Sequence, residues 1–121
     1  MTTTRELVMA LAAAIGDKKG EEVRVLDLRG VCGFADYFVF ATGGSDRHVR
    51  ALADAAVDAA TRRGTKPLGV EGKTVARWVL VDLGQIVVHV FSEDAREYFG
   101  LERLWGDAEE LDVARAVGAA S

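Results

Sequence analysis

Two apolar runs rich in β-forming residues flank a short loop in the second half of the chain. The runs are Arg77–Asp82 and Ile86–Phe91, and the loop between them, Leu83–Gln85, contains a glycine. This arrangement is typical of a β-hairpin. A third apolar run, Tyr37–Ala41, is predicted to be a buried strand. Strands this apolar indicate a sheet that helices cover on at least one face.

Two helices are predicted in the first half of the chain. The first can be capped by Thr3 and Thr4 with Glu6, and its apolar residues recur at every fourth position, at Leu7, Leu11 and Ile15. The second follows Ser45, a favourable N-cap, and ends near Arg63. Its many alanines allow close packing against a sheet. A strand at Glu22–Leu28 separates the first helix from the buried run.

The complete order is a helix, two strands, a helix, three strands and short helices. The second group of strands begins with a short extended piece after Pro67, and Ser92 caps a short helix that runs through Phe99. We predict a single-domain α/β sandwich over residues 1–107, with a mixed sheet of about five strands and flanking helices. The alanine-rich, acidic residues 108–121 are expected to form a loosely structured tail.

Composition restricts the classes of partner. The 121 residues carry a formal charge of −4 and give a pI of about 5.1. Nucleic-acid binding depends on lysine and arginine, so an acidic domain suits a basic protein partner better. The single cysteine, Cys32, excludes an internal disulfide. We expect a cytoplasmic protein, because we find neither a secretory signal nor an apolar stretch of membrane-spanning length.

A series of short segments forms an ordered set of motifs. They are Val25–Gly30, Ala35–Val39, Ala41–Gly43, Ser45–Arg47, Val70–Gly72, Arg77–Asp82, Val87–Phe91 and Leu101–Trp105. Together they span roughly residues 7–107 without a large insertion, and they closely resemble the ribosomal silencing factor family (RsfS, also called Iojap-like).

The resemblance implies a translational repressor that performs no catalysis and needs no cofactor or metal. Members of this family bind large-subunit ribosomal protein fourteen and thereby block joining of the small subunit. A role in large-subunit biogenesis and a homodimeric free form are also associated with the family. The implied fold is a five-stranded mixed sheet similar to that of nucleotidyltransferases.

The resemblance also leads us to place the docking face on the predicted β-hairpin and on a cluster of large apolar residues near the end of the chain. Strand alternation puts Trp78, Leu80 and Asp82 on one face. Trp78 is either a half-buried strand residue or an interface anchor, since large aromatic residues often supply much of the binding energy. The predicted partner-binding residues are Glu71, Trp78, Leu80, Asp82, His89, Glu93, Tyr98, Phe99, Leu101 and Trp105.

Two alternative functions remain open. The first is a nucleotide-binding, transferase-like protein, argued only from the fold similarity that the resemblance implies; the Gly43–Ser45 turn before a helix would suit such an enzyme. Such enzymes need two or three converging carboxylates for Mg²⁺, and no paired carboxylate motif follows in this sequence. We therefore interpret the turn as a helix cap. The second alternative is a structural dimer module that associates through its apolar end cluster.

The remaining chemically active residues favour structural roles. His48 and His89 have no partner at metal-ligand spacing. His89 alternates with two valines, which indicates a buried or interfacial histidine with a satisfied hydrogen bond. Cys32 lies in a glycine-rich turn with nothing nearby to activate it. The basic residues of the second helix and its end predict a solvated face or a minor ribosomal RNA contact; these are Arg47, Arg50, Arg62, Arg63 and Lys66.

Overall fold

The predicted strands and helices form in the expected order in the computed structural model, which describes residues 3–114. The strands are β1 (Glu21–Asp27), β2 (Tyr37–Gly43), β3 (Gly69–Glu71), β4 (Trp78–Asp82), β5 (Ile86–Ser92) and β6 (Glu109–Leu111). The helices are α1 (Thr4–Asp17), α2 (Asp46–Arg62) and α3 (Glu93–Phe99), and a 3₁₀ turn (Leu101–Trp105) follows α3. None of the described helices is long and apolar enough to cross a membrane.

The sheet is mixed and has the strand order β3-β4-β5-β2-β1-β6. Strands β2 and β5 pair in parallel, with Phe38 opposite Val87, and the other pairs in the described chain are antiparallel. β4 and β5 form the predicted hairpin. The mixed α/β fold is therefore confirmed, with six strands where about five were expected.

The sixth strand lies in the segment that we predicted to be a loose tail. In β6, Leu111 is buried and pairs with Val25 of β1. The strand is only three residues long and begins with two glutamates, so it lacks the apolar run that marks a strand in sequence. The prediction of a loose tail was wrong for Glu109–Leu111, and residues 115–121 lie outside the described residues.

One face of the sheet packs against α1 and α2. The apolar positions predicted for α1 are buried, and α2 adds a stripe of buried alanines. The strand residues of this core are mostly valines: Val25, Val39, Val79, Val81, Val88 and Val90. Their β-branched side chains suit a pleated surface, and the small alanines bring α2 close to it. This face is fully occupied by the two helices.

The turn between β2 and α2 has the capping role that the sequence predicts. Ser45 Oγ accepts a hydrogen bond from the backbone N–H of His48 at 3.1 Å. Gly43 is required here because a Cβ atom would lie 2.8 Å from the backbone nitrogen of Val49. Thr3 caps α1 and Ser92 caps α3 in the same way. The glycines and serine of this turn therefore serve helix geometry.

Candidate docking surface

The second face of the sheet is aromatic. Strand alternation directs Phe38 and Phe40 of β2, Trp78 of β4, and His89 and Phe91 of β5 to this side. Residues of α3, the 3₁₀ turn and the β1–β2 connection cover part of it. The rest forms an open groove.

We call this recess the aromatic groove, and its volume is about 730 Å³. Three large apolar side chains at the groove are strongly exposed: Phe34 at 69%, Leu68 at 75% and Leu104 at 73%. The groove is lined by Phe34, Phe38, Leu68, Trp78, Leu80, Asp82, Gly84, Val87, His89, Leu101, Leu104 and Trp105. An apolar recess with exposed apolar side chains is typical of a surface that binds a partner or ligand.

A hydrogen bond within the groove fixes the Trp78 side chain. The indole Nε1–H donates to Nδ1 of His89 at 3.1 Å. The indole also packs at 5.3 Å from the ring centroid of Phe91 and 4.9 Å from that of Phe99. These contacts restrain the tryptophan before any partner arrives.

His89 acts as a neutral acceptor in this bond. It is 3% exposed and stacks on Phe40, with ring centroids 5.2 Å apart. Burial lowers its pKa from 6.5 to about 4. Its other nitrogen, Nε2, is buried and has no hydrogen-bond partner among the described residues. The predicted buried histidine with a hydrogen bond is confirmed for Nδ1.

The structure brings six of the ten predicted partner-binding residues together. Those that line the groove are Trp78, Leu80, Asp82, His89, Leu101 and Trp105. Tyr98 and Phe99 lie beside Trp78 and line an adjoining recess of about 540 Å³. Glu71 is exposed on β3, in register with Leu80 of β4. The groove and the adjoining recess meet at Trp78, which lines both.

Glu93 lies apart from the groove. The chain leaves β5 at Ser92 and enters α3, so Glu93 falls in the first turn of that helix. There it lines a different cleft, together with Glu21, Glu22 and Arg96. The sequence predicted that a helix starts after Ser92, but it did not indicate that the start of this helix lies away from the groove.

Several residues of the groove escaped the sequence analysis. Phe34 sits in the β1–β2 connection and its ring packs against Phe38 and Trp105, at centroid distances of 6.1 and 6.3 Å. Leu68 and Leu104 reach the same recess from other elements. A large apolar residue isolated in a glycine-rich loop is the signal that marks Phe34. No local sequence pattern indicates Leu68 or Leu104, because only the fold brings them to the groove.

A partly buried ionic cluster, centred on Arg96, lies behind the 3₁₀ turn. Arg96 is 8% exposed and binds both carboxylate oxygens of Glu102, at 2.8 and 3.1 Å. It also donates to Oγ1 of Thr42 at 2.9 Å. Arg24 binds Glu102 as well and pairs with Glu110 at 2.6 Å. Burial alone would raise the pKa of Glu102, but the two arginines outweigh it and hold this pKa below its usual range.

The chemistry of the groove suits binding. Asp82 is its one carboxylate among the described lining residues, and its Oδ1 accepts from the backbone N–H of Gly84 at 2.9 Å. Within residues 3–114, no group of three or more His, Cys, Asp or Glu side chains is placed to hold a metal ion. The groove can therefore accept apolar side chains, with a carboxylate available to a basic group.

Comparison with known proteins points in one direction. A family model described as "Ribosomal silencing factor during starvation" matches residues 1–121. The ribosomal silencing factor RsfS of Bacillus subtilis is 45% identical over 109 residues, which cover 90% of this chain and 92% of that protein. The RsfS protein of Haemophilus influenzae is 39% identical and covers 82% of this chain and 97% of its own length.

Solved structures agree with this result. A crystal structure of a Chromobacterium violaceum protein superimposes with a TM-score of 0.85, at 33% identity, over 93% of both chains. A Bacillus halodurans crystal structure gives a TM-score of 0.79 at 38% identity and covers 90% of this chain and 99% of the other. The match to the family model over the full sequence and these identities lead to one conclusion: the chain belongs to the ribosomal silencing factor (RsfS) family.

Proposed function

We propose that this chain binds the large ribosomal subunit through large-subunit ribosomal protein fourteen and sterically blocks association with the small subunit. Translation would be repressed as a result, in the cytoplasm and without catalysis or a cofactor. The observation that supports this proposal most is the aromatic groove, an open apolar recess in a member of the silencing factor family. A role in large-subunit biogenesis is compatible with the same binding event.

Steric occlusion requires only that the chain binds the large subunit tightly enough and is large enough to block the contact with the small subunit. The groove offers Trp78 as a restrained anchor, and truncation of a central interface tryptophan costs about 2 kcal/mol or more of binding energy. Asp82 and the net charge of −4 complement a basic protein surface. We assign the centre of the docking surface to the six groove residues, its flank to Tyr98 and Phe99, and its acidic margin to Glu71. Glu93 would contact only a partner that extends beyond the groove.

The free chain is proposed to form a homodimer. Exposed apolar side chains such as Phe34 and Leu104 would be covered by a second copy, since exposed apolar patches usually mark interaction surfaces. A minor contact with ribosomal RNA is assigned to the basic residues of α2. Arg50 is the least available of these, because it donates to the backbone carbonyls of Lys73 and Thr74 at 2.7 and 2.8 Å.

Sedimentation with purified ribosomal subunits tests the proposal. We expect the wild-type chain to migrate with the large subunit and to reduce the amount of joined ribosomes. The double substitution Trp78→Ala and Asp82→Lys should weaken binding to the large subunit by roughly 30-fold or more, the equivalent of losing one anchor. Circular dichroism should show that the fold is retained.

The control variant for Asp82→Lys carries the same charge change on the opposite side of the molecule. Asp58→Lys alters an exposed carboxylate of α2 and should leave both binding and repression unchanged. Complete joining of the subunits at saturating wild-type protein would contradict the proposal. Equal binding by the double variant would instead remove the groove from the interface.

A further inference from the structure

One wall of the aromatic groove depends on a weak structural element. The 3₁₀ turn supplies Leu101, Leu104 and Trp105 to the lining. It has no side-chain cap and none of its residues is fully buried. Short 3₁₀ segments also have poorer hydrogen-bond geometry than α-helices. Its backbone alone therefore gives little reason for the turn to stay against the sheet.

Ion pairs on the side away from the groove hold the middle of this turn. Glu102 does not line the groove; both of its carboxylate oxygens face Arg96, and Arg24 binds the same carboxylate. Paired N–H donors on one carboxylate give directional as well as electrostatic strength. Glu102 therefore ties the middle of the turn to the rest of the protein, in addition to the packing of Leu101 and Trp105 against the aromatic face.

Arg96 is itself anchored to two strands of the sheet. It belongs to α3, and its Nη1 donates to Thr42 Oγ1 on β2 and to the backbone carbonyl of Glu22 on β1, at 2.9 and 2.8 Å. Arg24 extends the cluster to Glu110 of β6. Because Arg96 is buried, removal of Glu102 would leave its charge without its closest carboxylate partner, which is destabilising.

We propose that Arg96, acting through Glu102, is a positioning residue for docking, because it holds the 3₁₀ turn against the sheet and so completes the wall of the aromatic groove. This inference rests on the proposed function, since it concerns affinity for the large ribosomal subunit. It assigns part of that affinity to a charged cluster that does not touch the partner.

Glu102→Gln is the decisive variant, and Glu97→Gln is its control. Both lose one negative charge, but Glu97 is exposed on α3 and makes no ion pair among the described residues. We expect Glu102→Gln to bind purified large subunits about tenfold more weakly, within the range found for residues that act at a distance. Glu97→Gln should bind like the wild type, and Glu102→Asp, which keeps the charge, should recover part of the loss.

A spectroscopic measurement follows the turn without any ribosome. In a Trp78→Phe background, Trp105 is the remaining tryptophan of the chain. Glu102→Gln should shift its emission to longer wavelength and increase its quenching by acrylamide, whereas Glu97→Gln should change neither. If Glu102→Gln does not fold, Arg96→Lys keeps the positive charge but loses the paired N–H donors to Glu102, and it should show the same changes at smaller size.

The outcomes separate this inference from the proposed function. Unchanged Trp105 fluorescence in the folded Glu102→Gln protein would overturn the inference, and so would an exposed Trp105 with unchanged affinity. If the wild-type chain does not bind large subunits at all, the proposed function fails. The fluorescence result then still decides whether the cluster positions the turn.

Discussion

Replacing Gly72 with alanine should lower the free energy of unfolding by about 3 kcal/mol, a large effect for an exposed loop residue. Gly72 has a φ of +90°, a conformation that costs an L-residue roughly 1–2 kcal/mol. A Cβ atom would also lie 2.1 Å from the carbonyl oxygen of Trp78. Since that oxygen belongs to the first residue of β4, the clash must displace either the loop or the strand. Urea denaturation monitored by circular dichroism measures the loss.

Gly64→Ala is the matched control for this substitution. Gly64 has a similar φ of +86°, but a Cβ atom there meets nothing within 4 Å. The expected loss is therefore only the conformational part, about 1 kcal/mol. Equal losses in the two variants would show that the close approach to Trp78 has no energetic consequence. Gly72→Ala should also change tryptophan emission, because Trp78 lines the aromatic groove.

As the pH falls from 6.5 to about 4, the titration of His89 alone should lower the free energy of unfolding by about 3 kcal/mol. Burial lowers the pKa of this histidine from 6.5 to about 4, so the unfolded chain takes up the proton at higher pH than the folded chain. Each unit of difference corresponds to about 1.4 kcal/mol. The contribution is complete above pH 6.5 and disappears progressively as the pH falls. Denaturation midpoints at pH 7, 6 and 5 measure this slope.

Two single substitutions identify the source of the slope. His89→Gln should remove it over this range, whereas His48→Gln should retain it, because His48 lies outside the buried aromatic cluster. Glu102 and Glu110 have pKa values held below 4.5, so the stability they provide begins to be lost only near pH 4.5. A wild-type profile that matches His89→Gln between pH 6.5 and 5 would contradict the prediction.

Local patterns predicted most of the fold. The apolar runs around Leu83–Gln85 gave the hairpin, and Ser45 and Ser92 gave the starts of two helices, because strand burial and helix capping are encoded within a few residues. The parallel pairing of β2 with β5 was not predictable in this way. It depends on which distant strand lies adjacent in the folded sheet. The strand at Glu109–Leu111 was missed for the same reason, since its stability comes from pairing with β1.

The candidate site was predictable where strand alternation defines it. Trp78, Leu80 and Asp82 share one face by simple periodicity, and the structure places all three in the groove. The contribution of Phe34 and Leu68 could not be inferred, because loops bring them there. The function of Glu102 in holding the 3₁₀ turn was equally hidden, since its partners lie on α3 and β1.

The two edges of the sheet are formed by β3 and β6, each only three residues long in the described chain. β3 follows shortly after Pro67, and β6 carries two adjacent glutamates. Short, charged or proline-flanked edges resist the addition of further strands. In the proposed homodimer, two open apolar faces would stack on each other, an arrangement that closes after two copies instead of growing into fibres. Concentrated solutions of this protein should therefore contain discrete particles and give no amyloid-type dye response.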